Sequence, residues 1–286
     1  MNDKAGGQWS QLPRYNLIES MPICLLHVSD IHPAASDNLT QLAHEISGAV
    51  GTNGLVPMYI VASGDLGLKG TNQQESARFL LTLAADLNLD RQRIVCVPGN
   101  HDVQRDKLSN PFHNYENALY TITKDSTRTS VSSVASERHH DVEFLLVNSA
   151  YHLDITFGRV DCDALRRTVK ALSPDSKKIV VVHHNSIPSD ENDTSTIKNA
   201  YEFLTIVSSA GCELVLHGHQ HASLSLIVGR RTRLVGVGTV NFLPARNINN
   251  QFNIVEVGKR VIRFRYHADS STSRGVGNWD REDLQW

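Results

Sequence analysis

Five short apolar segments recur along the chain. Each is about the length of one strand, and most are rich in β-branched residues. Continuous apolarity of this kind predicts strands that are covered on both faces, as in a sheet between helices. The five segments are residues 23–28, 58–62, 93–97, 178–182 and 213–217.

Amphipathic helices are predicted between these strands. Residues 38–50 repeat apolar side chains at nearly helical spacing, and residues 75–89 and 164–172 do the same. Because strands and helices alternate, the pattern predicts a layered α/β protein.

The pattern changes in the last part of the chain. Residues 222–267 contain four short strand-like segments separated by turn residues, which predicts a second, more antiparallel sheet. Residues 123–140 are rich in Ser and Thr and are predicted to form a loop. We therefore predict one domain over residues 21–268, an N-terminal extension over residues 1–20 and a polar C-terminal tail over residues 269–286.

Composition narrows the class of protein. Of 286 residues, 40% are hydrophobic and 20% are charged, which is typical of a folded globular protein. The net charge of -2 gives no bulk signal for nucleic acid or for an anionic membrane. No apolar run is long enough to cross a bilayer, and the N-terminus lacks the layout of a secretory signal. The four cysteines form no CxxC pair, so we expect buried free thiols in the cytoplasm.

A cluster of Asp, Asn or His follows each of the five apolar segments. Ligands of open α/β sheets bind beyond the carboxyl ends of the strands, where these clusters would lie. Imidazole together with carboxylate favours Mn, Fe, Zn or similar ions over calcium, and no cysteine lies in any cluster. Seven side chains of these clusters are candidate ligands, which is more than one four-coordinate ion needs. Two divalent ions that share a bridging carboxylate, roughly 3.5–4 Å apart, would use all seven.

In this order, the motifs resemble those of the calcineurin-like metallophosphoesterase family. The resemblance runs from about Ile23 to His221, and residues 158–172 also resemble a segment of the cyclic-nucleotide phosphodiesterase-like branch. It implies a four-layer α/β/β/α sandwich, in which two mixed β-sheets pack face to face with helices outside. The motifs are Asp30-x-His32, Gly64-Asp65, Gly99-Asn100-His101-Asp102, His183-His184 and Gly218-His219-x-His221.

The resemblance also implies a role for each motif residue. A hydroxide between the two ions would attack phosphorus, and His101 would contact the phosphate and protonate the leaving alkoxide. Asp65 would bridge the ions. Asp30, His32 and His221 would hold the first ion, and Asn100, His183 and His219 would hold the second.

Two positions depart from the family pattern. Many relatives carry an acidic residue where this chain has Leu68, so we expect Asp102 or a backbone carbonyl to orient His101 instead. Many relatives have proline where this chain has Asn185, which is expected to line the pocket or to contact substrate. His184 is expected to contact either the substrate or a carboxylate that supports a ligand.

The favoured reaction is hydrolysis of a phosphodiester, such as a cyclic nucleotide or a similar small diester. A phosphomonoesterase is the main alternative. A nuclease is less favoured because aromatic residues make up only 6% and the net charge is not basic. A non-catalytic scaffold that keeps the metal site is the alternative from another class. The sequence predicts no membrane partner and leaves the oligomeric state open.

Overall fold

The computed structural model describes residues 22–34, 37–107, 109–129, 131–140, 142–154, 156–241, 250–267 and 278–285. Within these ranges it has twelve strands and five α-helices. The strands are β1 (Cys24–Val28), β2 (Tyr59–Ala62), β3 (Ile94–Cys96), β4 (Val134–His139), β5 (Val142–Val147), β6 (Lys177–Val182), β7 (Leu214–His217), β8 (Leu224–Val228), β9 (Thr232–Gly236), β10 (Gln251–Glu256), β11 (Arg260–His267) and β12 (Asn278–Gln285). The helices are α1 (Leu39–Thr52), α2 (Gln73–Asp86), α3 (His113–Thr123), α4 (Cys162–Ala171) and α5 (Ala200–Ser209).

The strands form two mixed sheets of six strands each. The first has the order β12-β11-β10-β1-β2-β3, in which β1, β2 and β3 are parallel and the other pairs are antiparallel. The second has the order β4-β5-β6-β7-β9-β8, with β5, β6, β7 and β9 parallel and both edge strands antiparallel.

Three apolar clusters separate the layers and confirm the predicted four-layer sandwich. Leu25 of β1 and Val181 of β6 lie in the cluster between the two sheets. The neighbouring Leu26 packs in the cluster that includes residues of α1, α2 and α3. Val180 packs with residues of α4 and α5. Successive side chains of each strand thus enter opposite apolar layers, which explains the continuous apolar runs in the sequence.

Three of the five helices match predicted ones. The Asn38 side chain accepts the Gln41 N–H at 3.1 Å at the start of α1, and Asp161 accepts the Ala164 N–H at 2.9 Å at the start of α4. These caps satisfy amides that lack a partner within the helix. No described helix is long and apolar enough to cross a membrane.

The prediction of a separate antiparallel sheet over residues 222–267 is wrong. Strands β8 and β9 extend the second sheet, whereas β10 and β11 extend the first. The strands themselves lie where they were predicted, but alternation along one strand does not specify its partner.

Two further strands lie where the sequence predicts a loop and a tail. β4 lies within the predicted loop over residues 123–140 and pairs with β5. The sequence of β4, VASERH, is too polar for a core strand. β12 pairs with β11 within residues 269–286, and Trp279 of β12 packs against Phe252 and Tyr266. Residues 1–20 lie outside the described residues, so the proposed extension stays a prediction.

The sheet register brings the ligand-bearing loops to one edge of the sandwich. Val28, Ala62 and Cys96 align across the parallel strands β1, β2 and β3, so the loops that follow these strands are neighbours. The loops after β6 and β7 are also neighbours, because the Gly218 N–H donates to the His183 carbonyl at 3.0 Å.

Candidate metal centre

Two buried carboxylates lie where the strand ends of both sheets meet. Asp30 follows β1 and Asp65 follows β2, and these residues are 0% and 1% exposed. The Asp30 N–H donates to the Gly64 carbonyl at 3.1 Å, which joins their two loops. The second sheet reaches the same place, because the His183 ring donates to the Ser63 carbonyl at 2.9 Å. Acidic groups are therefore held at the centre of the strand edge without access to bulk water.

One group of predicted ligands surrounds Asp30. His32 Nε2 and His221 Nε2 lie 3.5 and 3.3 Å from Asp30 Oδ1. This oxygen is buried and has no hydrogen-bond partner among the described residues. A buried carboxylate oxygen without a partner is costly, and a cation ligated by it and by the two imidazoles would satisfy it.

The other group surrounds His183. Its Nε2 lies 3.3 Å from Asp65 Oδ2, 3.1 Å from Asn100 Oδ1 and 3.2 Å from His219 Nδ1. Metal–ligand bonds of 2.0–2.2 Å place neighbouring ligand atoms about 3.0–3.5 Å apart. The separations among these four side chains are therefore those of a coordination shell, and the donor set of imidazole, carboxylate and amide oxygen suits a divalent cation.

Asp65 lies between the two groups. Its Oδ2 is 3.6 Å from His32 Nε2 and 3.3 Å from His183 Nε2. Its Oδ1 accepts the His101 N–H at 2.8 Å, which fixes the carboxylate plane. One oxygen thus faces ligands of both groups, which suits a carboxylate that two ions could share.

Backbone carbonyls orient two of the imidazoles. The His183 Nδ1 faces the Ser63 carbonyl at 2.9 Å, and the His32 Nδ1 faces the Gly67 carbonyl at 3.2 Å. Because a carbonyl only accepts, each Nδ1 carries a hydrogen and each Nε2 points to the centre. Sequence reasoning could not find these partners, since they are main-chain atoms.

The charges of the centre shift its pKa values. Burial alone would lower the pKa of His32 and His183, but the carboxylates of Asp65 and Asp30 outweigh burial and raise both to about 9. Burial and the nearby His183 lower the pKa of His219 to about 4. Burial would raise the Asp30 pKa, yet the neighbouring histidines hold it well below its usual value. The protons on His32 and His183 therefore balance the negative charges of Asp30 and Asp65, a role that metal cations can also fill.

Five of the seven predicted ligands have a left-handed backbone, which is uncommon outside glycine. Such residues cost on the order of 1–3 kcal/mol each and persist where the surrounding structure enforces them, as at functional sites. The φ angles are 53° for Asp30, 42° for His32, 53° for Asp65, 71° for His219 and 51° for His221.

His101 lies beside the two groups. Its ring centroid is 4.9 Å from that of His32, and it is only partly buried, so one side of the ring can meet a substrate. Its Nδ1 is buried and has no hydrogen-bond partner among the described residues. Desolvation lowers the His101 pKa below its ordinary value, which makes its protonated form a stronger acid.

Among the described bonds, Asp102 braces neighbouring loops and makes none to His101. The Asp102 carboxylate accepts the backbone N–H groups of Leu66, Gly67 and Gly99 at 3.2, 2.7 and 2.9 Å. These bonds use both oxygens to brace the loops after β2 and β3. Burial, and then the charge of Asp65, raise the Asp102 pKa to about 6.

His184 and Asn185 are buried behind the ligands. The His184 Nδ1 hydrogen-bonds the Ser149 hydroxyl at 2.7 Å, and its ring packs 4.4 Å from the ring of His219. Asn185 is 2% exposed, and its amide donates to the Ile187 carbonyl at 2.9 Å. Both side chains are therefore placed to support the loops that carry His183 and His219.

Sequence reasoning missed the polar residues that surround the loop after β7. Gln220 lies between two predicted ligands, and its amide donates to Asp193 Oδ1 at 2.9 Å. Ser189 Oγ donates to Gln220 Oε1 at 3.2 Å. The loop over residues 185–199 shows no ligand motif, so its only signal in the sequence was polarity.

Comparison with known proteins gives a family match and similar folds. The model of the calcineurin-like phosphoesterase family matches residues 24–223. A comparison with curated proteins finds no significant match. A dimetal phosphatase from Danio rerio has a similar fold, with a TM-score of 0.56 and 11% identity over 93% of this chain and 99% of that one. A protein of Thermus thermophilus has a TM-score of 0.50 and 15% identity over 82% of this chain and 94% of that one. At these identities the two structures show the fold alone.

Proposed function

Because this chain belongs to the calcineurin-like phosphoesterase family, we propose that it hydrolyses a small phosphodiester at the centre formed by Asp30, Asp65 and their neighbours. The family match confirms the resemblance of the strand-end motifs. The chain is a phosphoester hydrolase, and its family uses a dinuclear metal centre. The choice of a diester, the allocation of the ligands and the role of His101 are proposals.

In this proposal the seven side chains hold two divalent ions. Asp65 would be shared between them, since one of its oxygens faces both His32 and His183. The ions, when bound, activate a water molecule and stabilise charge on the phosphoryl oxygens. The first ion would be held by Asp30, His32 and His221, and the second by Asn100, His183 and His219.

The charge of the centre is compatible with a diester. Among the described residues, every ion pair of Asp30 and Asp65 is made with a histidine, and none with lysine or arginine. Two divalent ions together with these two carboxylates would carry a net charge of about +2. A phosphodiester carries one negative charge and a phosphomonoester carries nearly two, so a centre of this charge suits either ester, and the diester is preferred because His101 offers a proton to a leaving alkoxide and residues 158–172 resemble the cyclic-nucleotide phosphodiesterase-like branch.

His101 supplies the proton that a diester needs. Hydrolysis of a diester expels an alkoxide, which is a poor leaving group unless it is protonated. The His101 backbone is tied to the Asp65 carboxylate, and its ring stands against His32, so the imidazole is held beside the atoms that would bind phosphate. Protonation of the leaving oxygen by this ring is the step that we assign to it.

A substrate panel tests the proposal. Metal-stripped protein is assayed with Mn, Fe, Zn, Mg or no metal against a chromogenic diester, a chromogenic monoester, cyclic nucleotides and single-stranded DNA. We expect metal-dependent turnover that is fastest on the small diesters. Faster turnover of the monoester, or of DNA, would replace the diester proposal by the corresponding activity. Two bound ions without hydrolysis of any substrate would favour a non-catalytic scaffold.

A further inference from the structure

The carboxylate of Asp193 is the hub of a hydrogen-bond network beside the centre. Its Oδ1 accepts the Ser195 N–H at 2.9 Å, the Ser195 hydroxyl at 2.6 Å and the Gln220 amide at 2.9 Å. Its Oδ2 accepts the Asn185 amide at 3.0 Å and the Ser189 N–H at 2.9 Å. Five donors thus converge on one side chain that is only partly buried.

The donors come from both ligand-bearing loops of the second sheet. Asn185 lies two residues after His183, and Gln220 lies between His219 and His221. Asp193 therefore connects the loop after β6 with the loop after β7. The Gln220 side chain is held at both ends, since its oxygen accepts the Ser189 hydroxyl while its amide donates to Asp193.

The loop after β7 requires such support. His219 and His221 both have a left-handed backbone, with φ of 71° and 51°. A conformation of this kind relaxes unless neighbouring contacts enforce it. The His219 N–H donates to Asp30 Oδ2 at 3.0 Å, which restrains one side of the loop from within the centre. Gln220 restrains the loop from outside the centre through its bonds to Ser189 and Asp193.

We propose that Asp193 is a positioning residue that acts through Gln220 to hold His219 and His221 in their ligating conformation. The inference rests on the proposed function only in that these two histidines hold metal. They serve different ions in our allocation, so loss of Asp193 weakens both ion sites. Residues that support metal ligands in this way typically change metal affinity 10- to 100-fold when replaced.

Metal binding provides a test that does not depend on turnover. Mn²⁺ is titrated calorimetrically into the metal-stripped full chain, as wild type, Asp193→Ala, Gln220→Ala and the double variant. Asp190→Ala is the matched control, because Asp190 lies in the same loop and its carboxylate accepts only the Asn192 N–H, at 2.8 Å, among the bonds described for it. Thermal unfolding of each metal-free variant separates a loss of folding from a loss of binding.

We expect Asp193→Ala and Gln220→Ala each to weaken Mn²⁺ binding about 10- to 100-fold, with the double variant no weaker than the worse single variant. Asp190→Ala should bind as the wild type does. Wild-type affinity in folded Asp193→Ala, or losses that simply add in the double variant, would overturn the inference. If Asp193→Ala does not fold, Gln220→Ala with wild-type affinity overturns it equally.

The outcomes for the wild type separate this inference from the proposed function. Wild-type protein that binds two ions but hydrolyses no phosphoester would refute the diester proposal, while weakened binding in Asp193→Ala would still support the positioning role. Wild-type protein that binds none of Mn²⁺, Fe²⁺, Zn²⁺ and Mg²⁺ would overturn both.

Discussion

Gly99 packs against the carboxylate of Asp65, so Gly99→Ala should displace the residue on which both proposed ion sites depend. A methyl group at this position would lie 2.1 Å from Asp65 Oδ1 and 2.6 Å from the Asp65 backbone nitrogen. The φ of Gly99 is -108°, which alanine adopts freely, so the effect is steric and not a matter of backbone strain.

The size of the effect follows from that contact. An ordinary C···O contact is about 3.3 Å, so the methyl group and the carboxylate must separate by about 1 Å. Asp65 cannot simply turn away, because its Oδ1 accepts the His101 N–H and the residue is buried. Misplacement of a reacting group by about 1 Å can cost about 10²-fold in rate, and overpacking typically costs about 1–3 kcal/mol of stability.

Three measurements check this expectation: metal content after dialysis against Mn²⁺, turnover of a chromogenic diester, and thermal unfolding. Gly48→Ala in the interior of α1 is the matched control, because a methyl group there meets nothing within 4 Å. It should leave metal content and turnover unchanged and stabilise the helix by about 0.5–1 kcal/mol. Gly99→Ala protein with two bound ions and wild-type turnover would refute the packing argument.

Three other changes probe the assigned roles. His101→Ala should keep both ions but slow diester hydrolysis about 10²- to 10⁴-fold. A variant that hydrolyses the diester as fast as the wild type would refute the role of His101 as the acid. Asp65→Ala should lose metal at both sites and lose activity, as measured by metal analysis and by the same assay, and retention of both ions would contradict a bridging carboxylate. Because the pKa values of His32 and His183 are raised to about 9, both rings are protonated at pH 7 without metal, so metal binding should release protons and weaken as the pH falls. Calorimetry in buffers of different ionisation enthalpy measures that release, and binding without proton release would refute the raised pKa values.

Much of the centre could be predicted from the sequence, because its signals are local. Each ligand motif directly follows a strand, and the strands are readable from their apolar runs. Asp30 and Asp65 follow β1 and β2, and parallel neighbours necessarily end at the same edge. The combination of chemical type and placement therefore identified residues that the fold then brings together.

What the sequence could not reveal depends on tertiary neighbours. β4 and β12 are edge strands with polar sequences, so no apolar pattern marks them. Asp102 seemed suited to orient His101, but three backbone amides from two loops occupy its carboxylate. Asp193 and Gln220 are 27 residues apart and meet only because the loops after β6 and β7 are adjacent.

The most direct test of a dinuclear centre built on Asp65 is a Mn²⁺ titration of metal-stripped wild type and Asp65→Ala, with bound metal and diester hydrolysis recorded together. We expect wild-type activity to rise with occupancy and to reach its plateau at two ions per chain, while Asp65→Ala shows neither occupancy nor activity. Hydrolysis that proceeds at full rate without metal, or that persists in Asp65→Ala, would contradict a dinuclear centre built on Asp65.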